Sequence, residues 1–159
     1  MNKALKANEE ALAIYRLLAA DHPEVFRPDL ADSLSNHSNR LSKFGRDEEA
    51  LKASEEALSI HRSLAAGRPE VFRQDLARSL NNLSVDLSKL GHHEEALQAN
   101  EEALSIRRLL AADRPELFLA DIADSLNNHS NRLSKLGRHE EALKAKEEAL
   151  SIRHSLIID

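Results

Sequence analysis

The groups best suited to chemistry in this 159-residue chain are its eight histidines and its paired glutamates. His92-His93-Glu94-Glu95 and His139-Glu140 set imidazole beside carboxylate, the combination that ligates zinc or relays a proton. Ligands must converge on one point, and residues i and i+1 diverge on a helix, while the H-E-x-x-H spacing that would bring two imidazoles to one face is missing. The chain has no cysteine, so thiolate sites, disulfides and cysteine nucleophiles are excluded. It also lacks a glycine-rich phosphate loop and a G-x-S-x-G elbow. The expectation is a protein that is not an enzyme, with no metal and no cofactor.

Asparagine is the more suggestive residue type. Asn36, Asn82 and Asn128 recur at a spacing of 46, with Asn81 and Asn127 beside the last two. Each amide carries a donor and an acceptor, so a row of them can match the backbone of an extended peptide whatever its side chains. Such a row needs a scaffold that brings equivalent positions side by side.

Self-similarity at that same period supplies one. Gly45, Gly91 and Gly137 share the spacing, as do Pro23, Pro69 and Pro115, and Phe26, Phe72 and Phe118. Units 2–47, 48–93 and 94–139 align without a gap, and 140–159 opens a further copy. The first and third units agree with each other at more positions than either does with the second, which hints at alternation. Each unit reads as two helices. Glu48 to Ala66 carries a broad stripe through Ala50, Ala53, Ala57, Ile60 and Leu64, wide enough to contact two neighbours, and Gly67 with Pro69 is expected to end it. Gln74 to Leu90 sets Leu76, Leu80, Leu83 and Leu87 on one face, with Gly91 as its C-terminal cap. Phe72 is expected to plug a long connection between them. The short turn at Gly91 makes consecutive helices antiparallel, and tandem antiparallel pairs form an α-solenoid in which each unit buries its apolar face against its neighbours.

Ser79-Leu80-Asn81-Asn82-Leu83-Ser84, then Leu87, Gly91, Glu94-Glu95-Ala96-Leu97 and Ala103-Leu104, resemble a tetratricopeptide repeat of the kinesin-light-chain type, in three copies covering essentially the whole chain. Departures are the missing helical aromatics, His37 and His129 where leucine is expected, and a helix-to-helix connection lengthened to give a 46-residue period. The resemblance implies one all-α domain over residues 1–159, a right-handed solenoid of about seven helices, with a leading helix at about 3–20 and repeats at about 28–66, 74–112 and 120–158. It also implies a non-catalytic scaffold whose first helix in each pair lines a concave groove.

On those helices, the residues facing away from the leucines are Ser35, Asn39 and Lys43, then Arg78, Asn81, Val85 and Lys89, then Asn127, Asn131 and Lys135. These form the expected peptide-binding groove, with Asn36, Asn82 and Asn128 at its edge. Two rows alternate in charge, Asp32-Arg78-Asp124 and Arg40-Asp86-Arg132, and are expected to pair across repeat boundaries as ladders. His37 and His129 fall on the leucine stripe, where protonation would cost stability.

A net charge of −5 with 31% charged residues offers no basic excess to bind nucleic acid. Apolar runs are too short for a membrane span, and Met1-Asn2-Lys3 leads into no signal-type core, so neither membrane nor secretion is expected and the chain reads as cytoplasmic. Expected partners are a peptide or protein in the groove. The alternative is a self-assembling module, a dimer or head-to-tail oligomer joined through Leu156, Ile157 and Ile158.

Overall fold

The structure, a computed structural model, describes residues 3–158. Seven α-helices follow one another: α1 Lys3–Asp21, α2 Pro23–Lys43, α3 Asp47–Gly67, α4 Pro69–Lys89, α5 His93–Asp113, α6 Pro115–Lys135 and α7 His139–Ile158. Each packs chiefly on the helices before and after it, and α2 also touches α4. The result is an all-α stack of antiparallel pairs, with α2, α4 and α6 on one side and α1, α3, α5 and α7 on the other.

Two kinds of turn build it. After α2, α4 and α6 the chain reverses at Gly45, Gly91 and Gly137, all at positive φ. His92 N–H bonds to Leu87 O at 2.9 Å and Gly91 N–H to Ser88 O at 3.1 Å, the paired bonds of a Schellman motif, and the other two glycine turns repeat them. Before α2, α4 and α6 the junction is a single residue, His22, Arg68 or Arg114, in extended conformation ahead of a proline at the first helical position. Proline forces that extension on its predecessor and tolerates N1 because it has no N–H to leave unpaired.

This corrects the expected long connection. Pro69 ends α3 and also starts α4, so residues 69–73 are helix and not loop. The extra length of the 46-residue period lies in helices of about 21 residues. Two of the repeated phenylalanines therefore join the core: Phe118 clusters with Leu104, Ile122 and Ala149, and the partly buried Phe26 packs against the cluster of Leu12, Leu34 and Ala57, while Phe72 is half-buried. Leu80 and Leu87 are buried, Leu76 and Leu83 partly so. Alanines 50, 96 and 103 are fully buried, which lets the helix axes approach closely.

Candidate functional site

Helices α2, α4 and α6 run parallel to one another, so repeat-equivalent side chains line up across their shared face. Glu24, Glu70 and Glu116 occupy their first turns and Lys43, Lys89 and Lys135 their last. Each charge suits the local end of the helix dipole. At the glutamate end Arg27, Arg68, Arg73 and Arg114 stand beside the carboxylates, so that end is of mixed sign.

Between the two ends the expected groove residues meet different fates. Asn39, Lys43, Arg78, Lys89, Asn131 and Lys135 are exposed, while Asn81, Val85 and Asn127 are half-buried. Ser35 is 8% exposed and lies deeper than the others, in the wall of a cavity between α2 and α4. Several amides are already engaged. Asn128 Nδ2 donates to Asn81 Oδ1 at 3.1 Å, closing the α4–α6 seam. The Asn127 oxygen, in the orientation its surroundings favour, accepts from both terminal nitrogens of Arg153 at 2.8 and 2.7 Å. Lys89 bonds to Ser42 of the preceding repeat. By contrast Asn36, Asn39, Asn82 and Asn131 hold no hydrogen bond among the described residues.

The open amides border cavities. One of about 410 Å³ between α2 and α4 is lined by Asp32, Ser35, Asn36, Asn39, Arg78 and Asn82. Another, of about 430 Å³, lies beside α2 along Asn36, Asn39, Arg40 and Lys43.

The charge rows behave differently from the expected ladders. Arg78 lies 2.7 Å from Asp75 on its own helix and 3.5 Å from Asp32, which makes one rung. Asp124 pairs with Arg153 at 2.9 Å instead of with Arg78. In the second row no rung forms. Asp86 and Arg132 are buried and reach back to serines of the preceding repeat. Asp86 accepts from Ser38 at 2.8 Å and from Ser54, while Arg132 donates to Ser84 at 3.1 Å and Ser88 at 3.3 Å. Burial pushes the Asp86 carboxyl above its ordinary range, against the pull of the Ser54 and Ser38 hydroxyls. Burial lowers the Arg132 guanidinium in the same way.

A ladder does exist, on the opposite side of the stack. Arg16–Glu56, Arg62–Glu102 and Arg108–Glu148, at 2.5, 2.6 and 2.7 Å, join α1 to α3, α3 to α5 and α5 to α7. Its signal was in the sequence, an Arg and a Glu 40 residues apart recurring with the repeat, but it crosses helices that local pairing does not connect.

Ser79, His61 and Asp32 make a serine–histidine–aspartate succession, with His61 Nδ1 on Ser79 Oγ and Nε2 3.6 Å from Asp32. A nucleophile must be reachable, and Ser79 is 2% and His61 1% exposed. The succession is packing, a bond between α3 and α4 that Arg107 and Ser125 repeat at 2.6 Å one unit on. Among the described residues no group of three His, Asp or Glu side chains is placed to hold a metal ion, and no helix is long and apolar enough to cross a membrane.

The family described as Tetratricopeptide repeat matches residues 30–65, 76–116 and 122–157, three stretches that start one 46-residue period apart. The chain is a tetratricopeptide-repeat protein. The solved structure of BtubC (BKLC) from P. vanneervenii is similar to it, with a TM-score of 0.75 at 21% identity over 95% of this chain. That likeness supports the fold, and this repeat array spans 58% of the BtubC chain. No curated protein matches the chain in sequence. Tetratricopeptide repeats serve generally as protein-interaction scaffolds.

Proposed function

We propose that this tetratricopeptide array is a non-catalytic scaffold that holds an extended peptide segment of a partner protein along α2, α4 and α6. The observation that carries the reading is the set of amides without partners, Asn36, Asn39 and Asn82 lining one cavity between α2 and α4, and Asn131 exposed on α6. Amides without a partner in the fold keep both donor and acceptor available to a main chain, with no internal hydrogen bond to break at the moment of binding. Twelve-residue peptides selected by display on the folded protein test this, with affinity read by fluorescence anisotropy. Asn39→Ala and Asn131→Ala should each weaken binding about 5- to 10-fold, the loss of one hydrogen bond. Ser59→Ala and Ser105→Ala on α3 and α5 should leave it unchanged. Equal effects on both faces would contradict the reading.

A second reading, self-association through α7, also has an observation in its favour. Leu143, Leu150 and Ile157 form an exposed stripe, Ile157 82% accessible, whereas their counterparts Leu97, Leu104 and Ala111 on α5 are buried beneath α6. Leu156 and Ile158 are exposed beside it.

A further inference from the structure

The three repeats do not present three equal grooves. At the α4–α6 seam Asn128 reaches across and donates one hydrogen bond to the Asn81 oxygen, which bridges the two helices. The same step back from α4 to α2 runs from Asn82 to Ser35, because position 35 holds serine where 81 and 127 hold asparagine. A serine hydroxyl is too short to close the gap. The α2–α4 seam is therefore left with a cavity of about 410 Å³ and with the amides of Asn36, Asn39 and Asn82 unspent.

One charge of each sign lines that cavity. Asp32 and Arg78 stand 3.5 Å apart in its wall, one acceptor and one donor, and Arg78 is held in place by Asp75 at 2.7 Å. A carboxylate entering the cavity would meet Asp32, and a cation would meet Arg78. A neutral group with a carbonyl for Arg78 and an N–H₂ for Asp32 meets neither repulsion, and the free amides can serve either of its ends.

We propose that the α2–α4 cavity is a pocket for a primary carboxamide, the side chain of a glutamine or asparagine carried by the bound segment. The pocket rests on the groove reading above and deepens it. It makes the first seam the selective one and leaves the second, closed by Asn81 and Asn128, to contact main chain.

N-acetylglutamine methylamide is the direct probe, titrated into the ¹⁵N-labelled protein beside the glutamate, lysine and leucine analogues. The side-chain NH₂ resonances of Asn36, Asn39 and Asn82 should shift with the glutamine compound, about tenfold more tightly than with the other three, and Asn128 should stay still. Asn82→Leu and, should that variant fold poorly, the exposed-site variant Asn36→Ala should each abolish the preference. An equal response to all four compounds, shifts centred on Asn81 and Asn128, or no shift up to about 50 mM would overturn the pocket. Display-selected peptides separate this failure from that of the groove. Peptides that lose affinity in Asn131→Ala yet carry no enriched glutamine or asparagine and ignore Asn82→Leu would sink the pocket and leave the groove. Peptides indifferent to every concave variant would sink both.

Discussion

Asp86 and Arg132 hold the same position in successive repeats, both buried, and each binds the serine 48 residues before it, Ser38 or Ser84. Opposite charges thus meet the same hydroxyl. For Arg132 the proton count closes: its guanidinium donates to Ser84, and Ser84 donates onward to the Ala96 carbonyl at 2.7 Å. For an ionised Asp86 it does not. Ser38 touches the Ala50 carbonyl at 2.9 Å, Asp86 at 2.8 Å and Ser54 at 2.6 Å, and Ser54 touches Asp86 as well, so two hydroxyl protons face four contacts. A protonated Asp86 adds a third proton and lets Ser38 donate to the carbonyl while accepting from the carboxyl, which agrees with the upward push that burial gives that group.

Asp86→Asn should therefore stabilise the protein near neutral pH by about 0.5–1.5 kcal/mol, since an amide N–H₂ donates to Ser38 as Arg132 does to Ser84. The folded carboxyl is raised above its unfolded value near 3.8, so its favourable contribution is complete below that value and fades as pH rises through the folded one. The advantage of Asp86→Asn should shrink on acidification and vanish near pH 4. Denaturant unfolding of both proteins at three pH values reads it, and an advantage independent of pH would refute the proton count.

His37 and His129 are displaced downward, first by burial. Their neutral forms fit the fold, so the stability they contribute is present above about pH 6.5 and is lost as pH falls toward the lower folded value. They differ in partners. His129 Nδ1 bonds to Asn100 Oδ1 at 3.0 Å, whereas His37 Nδ1 and the equivalent Asn8 Oδ1 are both buried without a bond. His37→Leu, matching Leu83 of the middle repeat, should raise stability, and His129→Leu should lower it by about 1–2 kcal/mol by orphaning Asn100. Thermal melts at pH 7.5 and 5.5 check both signs. Equal effects would mean the Asn100 bond contributes nothing.

The exposed ladder Arg16–Glu56, Arg62–Glu102 and Arg108–Glu148 should add little per rung, about 0–1 kcal/mol. A double-mutant cycle on Arg62 and Glu102 should give a coupling in that range, smaller in 1 M salt. A coupling above about 2 kcal/mol that salt leaves intact would be inconsistent with so open a pair.

Replacing Leu150 and Ile157 together by glutamate tests the α7 stripe. Light scattering over a hundredfold range of concentration should give a monomer for the variant, and a concentration-dependent dimer for the parent if α7 mates with a second copy. A parent that is monomeric throughout would remove the second reading.

Much of the fold was legible because the repeat period shows in Gly91, Pro69 and Phe72 and because the leucine stripe has helical spacing. Helix α3 was placed within a residue at each end. The start of α4 was missed because Pro69 was read as a stop, although the same ring is equally a start signal, and residues 69–73 carry no strong periodicity of their own. Which positions of α2, α4 and α6 stay exposed followed from helical phase, so the exposure of Asn39, Asn131 and Lys43, Lys89 and Lys135 could be named in advance. Burial of Asp86 and Arg132 could not. Charged residues inside a seam depend on which serine the neighbouring repeat offers, and that is a matter of superhelical geometry, invisible in a linear pattern. The Arg62–Glu102 ladder was missed for the same reason.

The central claim is that a partner segment lies along α2, α4 and α6. Cross-linking a display-selected peptide that carries a diazirine at each position in turn, and locating the adducts by mass spectrometry, tests it most directly. Adducts on Asn39, Val85, Asn131 and their neighbours, advancing from α2 to α6 as the diazirine moves along the peptide, are the predicted result. Adducts on α3, α5 and α7, or confined to Leu143, Leu150 and Ile157, would contradict it.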